Sequence, residues 1–479
     1  MGKEFSIVPE LVPRVETRYR RIVTPLPHPD SVATLETLRR FEPLSMRGQL
    51  PLVWERAEDI FVFDKYGNQW LDWSSGVLVA NAGHGAPEIR QAIVDQVNSG
   101  LIFNYVFPGE ERAQLVECLA GLAPKELEKV FLLTTGAEAV ECAIKLARAH
   151  GIKTGGKRKI GIVGFELGFH GRTLGAQQAG GIPGQKSWIV NEDPAIINAP
   201  FPDGYWQRET SFAGFLEAIH RRGLEPADIA GVVMESYQGV GPDFAPVPYV
   251  CELAEWCKTH DVVLIFDEVQ AGFGRTGRFW AFEYYGVTPD LICCGKGISS
   301  SLPLSAVIGR SGIMNQFPPG SMTSTQTGNP VCCAAALASI KKIISENLTS
   351  NAARLEPILL DGLNRIQRKH PEVVGRVTAR GLVGGLQTTK PGRREPDADL
   401  AHDIIERCFR KGLLMFAPVG AWGQTVKIGP PLTIPGEALE EGFAVLAEAV
   451  DEAVADLKKR DIVEYSRVTA KSGLAVAAT

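Results

Sequence analysis

Five short apolar runs, each bounded by turn-forming residues and separated by stretches of helical periodicity, restrict what this chain can fold into more than any other feature. They are VFLLT (130–134), IGIVGF (160–165), IAGVVME (229–235), VVLIFDE (262–268) and LICCG (291–295). An unbroken apolar run, unlike an alternating one, suits a strand covered on both faces. Such strands alternating with helices predict an α/β architecture over residues 91–345, with a mainly parallel sheet between helical layers. From residue 346 to 479, helical stretches flank two further strand candidates, GGLQTT (384–389) and TVKIG (425–429), which predicts a smaller α+β domain. Residues 1–90 read as an irregular Pro- and Arg-bearing arm followed by a β-hairpin, IFVFDKYGNQWLDW (60–73), turning at Gly67-Asn68. The small-residue tail SGLAVAAT reads as frayed.

Composition narrows the partners. The 479 residues are 45% hydrophobic and 22% charged, enough for two or more domains sharing a large core. A net charge of −5 gives no field for nucleic acid or an acidic membrane surface, and no 18-residue apolar stretch predicts a membrane span. Nine cysteines, among them the adjacent pairs Cys293-Cys294 and Cys332-Cys333, show no CxxC unit or metal-ligand spacing. That pattern predicts reduced thiols, a cytoplasmic location and no metal. The N-terminus lacks the apolar core of a secretory signal, and its Met-Gly-x-x-x-Ser match to an acylation pattern is too short to carry weight.

Three segments carry chemistry. In TTGAEAVECAIKLARAH (134–150), Thr135-Gly136-Ala137-Glu138 fits a capping box, and Val140, Ala143, Ile144 and Ala147 share one helical face. Glycine at such a start exposes backbone amides, and the helix dipole favours an anion there, although a merely well-capped helix reads the same way. In VVLIFDEVQAGFGRTG (262–277), Asp267 ends a buried strand where open α/β sheets bind ligands. Unpaired burial is costly, so Asp267 needs a cationic partner unless it simply accepts from loop amides. In DLICCGKGISSSLPLSAVIGR (290–310), Lys296 follows a strand between two glycines. Desolvation favours its free-amine form, the nucleophilic one, although a surface loop lysine is the plain alternative. Gly272-Phe-Gly-Arg-Thr-Gly277 also matches a dinucleotide-binding pattern, but the strand and helix that pattern requires are misplaced around it. An anion cradle, a carboxylate for a cationic ring nitrogen and an amine for an aldehyde together match the needs of pyridoxal 5'-phosphate.

These residues resemble the class III aminotransferases, fold-type I pyridoxal-phosphate enzymes, and most closely the 4-aminobutyrate and ω-amino-acid branch. The motifs are TTGAEAVE, FHGRT, DEVQAGFGRTG, GKGISSSLPLSAVIGR, STQTGNP and PPLTI, over roughly residues 50–455. Asp267 to Lys296 and Lys296 to Thr325 each span 29 residues (296 − 267 and 325 − 296), a spacing similar to the family's. The resemblance implies that Lys296 holds the cofactor as an imine and Asp267 pairs with its ring nitrogen. It also implies that Gly136 and Ala137 amides hold the phosphate, Phe169 stacks on the ring with His170 beside it, Val269 supports the other face, and Gln270 bonds the ring hydroxyl. Thr325 would reach the phosphate of a neighbouring subunit, implying a homodimer with shared sites. Phe169 as core and Thr325 as a loop cap stay open.

For substrate, the resemblance implies that Arg172 holds a distal carboxylate, with Val77 and Glu235 also at the substrate side. A structural salt bridge is the other reading of Arg172. Two positions depart from the family: Val240 stands in ESYQGVGPD where an acidic residue is usual, and Lys427 in VKIGPPLTI where arginine is usual. Those two positions pair in the family, so Lys427 is expected to lack its usual partner and either to meet an α-carboxylate as a point charge or to find another anion. The implied reaction moves an amino group from an ω-amino acid or amine to a 2-oxo acid, 2-oxoglutarate or pyruvate. Racemase, epimerase, aminomutase or decarboxylase chemistry on the same cofactor is the alternative.

Overall fold

A computed structural model describes residues 3–473, with side chains through residue 459. Met1-Gly2 of the acylation pattern and the tail beyond residue 473 lie outside the described residues.

Seven strands form the central sheet: β1 (Lys129–Leu133), β2 (Gly161–Phe165), β3 (Ile196–Ala199), β4 (Ile229–Glu235), β5 (Val263–Asp267), β6 (Leu291–Cys294) and β7 (Ser305–Gly309). Their spatial order is β1-β7-β6-β5-β4-β2-β3. Neighbours pair in parallel except β7, which runs antiparallel to both β6 and β1. Strands β2, β4, β5, β6 and β7 are buried along their whole length, which is why their sequences read as unbroken apolar runs.

Helix α1 (Gly136–Gly155) covers one face. Val140, Ala143, Ile144 and Ala147 are all buried, as the periodicity predicts. Gly151 lets the helix sit close to the sheet, because a methyl there would meet Lys159 O at 2.2 Å. Register then gathers the ends of the strands: Asp267 lies beside Glu235 on β4 and beside Cys293 on β6, three residues before Lys296. Residues that follow these three strands therefore emerge together at one edge.

The C-terminal part has an antiparallel sheet of β8 (Val374–Arg380), β9 (Val383–Thr388) and β10 (Thr425–Ile428), flanked by helices Leu348–Lys369 and Ala398–Arg410. Glycines bring this sheet against the loop after β4, for a methyl on Gly385 would meet Gly241 O at 2.6 Å. The N-terminal hairpin forms as predicted, Phe61–Phe63 pairing antiparallel with Gln69–Asp72. Leu413–Leu414 adds to it in parallel, so sequence-distant ends share a sheet. The described residues contain no helix long and apolar enough to cross a membrane and no cluster of His, Cys, Asp and Glu fit to hold a metal.

Candidate active site

A cavity of about 340 Å3 opens at the edge where β1, β4, β5 and β6 end. One wall is the start of α1. The Thr135 hydroxyl accepts from Glu138 N at 3.3 Å while the Glu138 carboxylate accepts from Thr135 N at 2.8 Å, completing the capping box. This leaves Gly136 and Ala137 lining the cavity with bare amides in a positive helix-end field. Glycine is dictated by a close neighbour: a Cβ at Gly136 would lie 2.6 Å from Val269 Cγ1.

Phe169 and His170 come from the loop after β2, and Glu141 on α1 anchors that loop. The Glu141 carboxylate accepts from Thr173 Oγ1 at 2.6 Å, Gly175 N at 2.8 Å and Ala176 N at 3.0 Å. Gly171, with φ +124°, packs on Ala137, where a methyl would approach within 2.5 Å. The loop thus presses the Phe169-His170 pair against the helix start.

Asp267 has a buried hydrogen-bond partner in His170. His170 Nδ1 and Asp267 Oδ2 are 2.8 Å apart, both residues are buried, and Asp267 Oδ1 accepts from Val269 N at 3.0 Å. Burial pulls the His170 pKa down, but the bond and charge of Asp267, helped by Glu235, outweigh it, and the net shift is upward. Glu235 accepts from Phe169 N at 2.9 Å and Gly239 N at 2.8 Å. Burial pushes it up to about 7, with His170 opposing and Asp267 adding. Glu268, adjacent in sequence, turns away from the cavity and staples Ala281 N and Phe282 N, each at 2.9 Å.

Lys296 lines the same cavity. Its φ of +45° is the left-handed region, an uncommon backbone for a side chain of this size. Gly297 beside it is required, because a methyl there would meet Asn81 Nδ2 at 2.5 Å. Burial lowers the Lys296 pKa, opposed by the charges of Asp267 and Glu235, so the free amine becomes more accessible.

Gly136, Ala137, Phe169, His170, Glu235, Asp267, Val269, Gln270 and Lys296 therefore meet at one cavity. Four other candidates lie outside its lining. Arg172 is exposed, its guanidinium 5.6 Å from the Phe169 ring centroid. Thr325 is exposed. Val77 is 41% exposed and sits in a run of left-handed residues, Ser75 to Leu78, with φ between +48° and +67°; Val79 lines the cavity instead. Lys427 is buried behind Gln270, to which it donates. Sequence reasoning missed Tyr237 and the Ser301–Leu304 loop, which also line the cavity. The loop's signal was the serine run after Lys296; Tyr237 carried none. In the GFGRTG segment Arg275 is fully buried and donates to Asn81 Oδ1 at 2.7 Å and Leu382 O at 3.1 Å, tying this loop to the β8–β9 turn and to the N-terminal part.

The sequence model of aminotransferase class-III matches residues 45–450. The chain belongs to the class-III aminotransferases. This aminotransferase is 34% identical over 442 residues to the 4-aminobutyrate aminotransferase of Mycobacterium leprae, covering 89% of this chain and 97% of that protein. It is 34% identical to the 5-aminovalerate aminotransferase of Pseudomonas aeruginosa, covering 85% and 95%. Among solved structures, an (S)-enantioselective omega-transaminase from Thermomicrobium roseum superposes with TM-score 0.77 at 29% identity, covering 88% and 94%. A Bacillus anthracis aminotransferase gives TM-score 0.80 at 27% identity, covering 88% and 99%. The aminotransferase has the fold-type I architecture of these enzymes and depends on pyridoxal phosphate. The cavity suits that cofactor: uncapped amides for a phosphate, a buried carboxylate oriented by His170 and Val269 N for a pyridinium, and a desolvated amine for an aldehyde.

Proposed function

We propose that this aminotransferase takes the amino group of an ω-amino acid resembling 4-aminobutyrate, or of a simple amine, and passes it to a 2-oxo acid such as 2-oxoglutarate or pyruvate. The observation that carries this reading is the convergence of buried Asp267 and the desolvated Lys296 on one cavity, with the Gly136 and Ala137 amides at its rim. When bound, pyridoxal phosphate supplies an electron sink for the charge left on the substrate carbon as its proton departs. Asp267, oriented by His170 and Val269 N, would keep the ring nitrogen protonated. Lys296 Nζ would hold the cofactor through its aldehyde and, as the desolvated free amine, would be the base that takes the proton from the substrate carbon bearing nitrogen. Phe169 and Val269 would confine the ring, the Gly136 and Ala137 amides would hold the phosphate, and Gln270 would donate to the ring hydroxyl.

Arg172 receives a distal carboxylate with its planar fork, while Val77 and Glu235 shape the substrate side. Burial disfavours the charged form of Lys427, and an arriving α-carboxylate would restore it and be received as by a point charge. Both of its present acceptors, Gly239 O and Gln270 Oε1, are neutral groups rather than the family's usual carboxylate. Kinetics of Lys427→Ala test this: a raised KM for 2-oxo acids is expected, and unchanged kinetics would refute docking.

A homodimer with shared sites is supported by an exposed apolar run, Leu101, Ile102, Phe103, Tyr105 and Phe107. That run lies beside the segment carrying exposed Thr325, with Asn329 Nδ2 donating to Ile102 O at 2.9 Å and Tyr105 OH 3.3 Å from Thr323 Oγ1. Thr325 reaches the phosphate held by the other subunit. The division into 1–90, 91–345 and 346–479 and a cytoplasmic location, the latter supported by nine unpaired cysteines, belong to the same reading. A donor panel of 4-aminobutyrate, β-alanine, ornithine, lysine, taurine and simple amines tests the substrate class. Each productive donor must consume one equivalent of oxo acid; product formation without oxo acid would favour racemisation or decarboxylation.

A further inference from the structure

Gln270 is held in one amide orientation by two donors behind it. Its Oε1 accepts from Tyr237 OH at 3.0 Å and from Lys427 Nζ. Both donors are fully buried, and Lys427 gives a second bond to Gly239 O. Burial pulls the Lys427 pKa well below its ordinary value, with Lys296 adding and Glu235 opposing. Nζ donates to both Gly239 O and Gln270 Oε1 with or without the extra proton, so the group it meets here presents an oxygen. Tyr237 OH donates to the same oxygen, and flipping the amide would set Nε2 against the Lys427 donor and force the Tyr237 hydroxyl to turn from donor to acceptor. The arrangement is packed closely enough to permit no side chain at residue 239: a Cβ on Gly239 would lie 2.9 Å from Gln270 Oε1 and 3.0 Å from Glu235 Oε1. With Oε1 turned toward Tyr237 and Lys427, Gln270 can offer the cavity it lines only its N–H donors.

We propose that Tyr237 and Lys427 are positioning residues that lock Gln270 as a hydrogen-bond donor toward the cofactor's ring hydroxyl. The claim rests on the proposed role of Gln270 and extends it, since neither orienter need touch the cofactor. It also couples the two halves of the site. When a substrate carboxylate draws Lys427 away, Tyr237 OH is the remaining donor on Oε1, and because a hydroxyl can also accept, the amide is then held less firmly. Other charges around Lys427 are Lys296, Arg275, Glu235 and Asp243, and none of them replaces Tyr237 as a donor to Oε1.

A donor aimed at the ring hydroxyl stabilises negative charge there, most strongly once the neighbouring Lys296-linked imine has lost its proton. Losing the donor therefore raises the pH at which the visible absorbance changes. The test is that midpoint in purified holoenzyme for the parent, Tyr237→Phe, Gln270→Ala and the double variant. Tyr237→Phe keeps shape and charge, and it is expected to raise the midpoint by roughly half a unit to one unit, the worth of one hydrogen bond. Gln270→Ala is expected to raise it at least as far, and the double variant no further than Gln270→Ala, because Tyr237 acts through Gln270. Lys427→Met should shift the midpoint more in the parent than in the Gln270→Ala background. An unmoved midpoint in Tyr237→Phe, or shifts that add in the double variant, overturns the proposal while leaving the site intact. A parent protein with no visible band overturns the site reading itself, and this proposal with it.

Discussion

Replacing Gly136 with alanine puts a methyl carbon 2.6 Å from Val269 Cγ1 and 3.0 Å from Cγ2. Carbon atoms settle about 3.5–4.0 Å apart, so one side must yield by roughly an ångström. Val269 is poorly placed to do so. It is β-branched, and its N–H is committed to Asp267 Oδ1 at 3.0 Å. Overpacking of this kind costs about 1–3 kcal/mol, while alanine at a helical position returns about 0.5–1 kcal/mol. The net expectation is a loss of up to about 2.5 kcal/mol, centred on roughly 1 kcal/mol, of stability in the cofactor-free protein. Cofactor affinity should also fall, by roughly tenfold for each 1.4 kcal/mol, as the valine is pushed into the cavity. Calorimetry of the apoprotein and an absorbance titration with pyridoxal phosphate measure the two effects. Trimming the neighbour, in Gly136→Ala/Val269→Ala, removes the collision and should restore melting toward that of Val269→Ala alone. Parent-like melting of Gly136→Ala, or a double variant less stable than the sum of its parts, would refute the steric reasoning.

Other consequences are as direct. Asp267→Asn leaves His170 facing a neutral amide and the ring nitrogen without an anion, so turnover should fall at least about 100-fold while protein still accumulates folded. Glu235 sits near 7 when folded against an ordinary 4.5, because its burial favours the protonated form. Between those values the unfolded chain has released a proton that the native one keeps, so apoprotein stability should fall by about 2–4 kcal/mol as pH rises from 4.5 to 7; Glu235→Gln should flatten that slope. Glu141→Ala strands Thr173 Oγ1, Gly175 N and Ala176 N, and hydrogen exchange should show residues 168–176 opening more readily, by about 1–3 kcal/mol. Val77→Gly relieves a β-branched residue at φ +67° that is 41% exposed, and urea unfolding should show a gain of about 0.5–1 kcal/mol.

The central sheet was legible because burial on both faces leaves its strands without polar interruptions: the runs at 130–134, 160–165, 229–235, 262–268 and 291–295 match strands to within a residue or two at each end. Strands Ile196–Ala199 and Ser305–Gly309 were missed. The first is a half-exposed edge, and the second was absorbed into the lysine segment, where chemistry drew attention from periodicity. Val374–Arg380 was missed because its polar, half-buried pattern resembles a helix end. Within the site, Asp267, Lys296 and the Gly136 turn announce themselves because their chemistry fights their surroundings: a charge after an apolar strand, a lysine between glycines, a glycine in a capping box. His170 as partner of Asp267, Glu268 as a staple and Tyr237 behind Gln270 depend on contacts 97, 13 and 33 residues apart in sequence, which no local pattern encodes.

Reduction of the pyridoxal-phosphate-loaded protein with borohydride, followed by peptide mass spectrometry, bears most directly on the electrostatic arrangement at the cavity. A phosphopyridoxyl group should be found on the peptide containing Lys296, and it should vanish in Lys296→Ala. Stoichiometric labelling of another lysine, or none on this peptide under conditions where the visible band is present, would contradict the account.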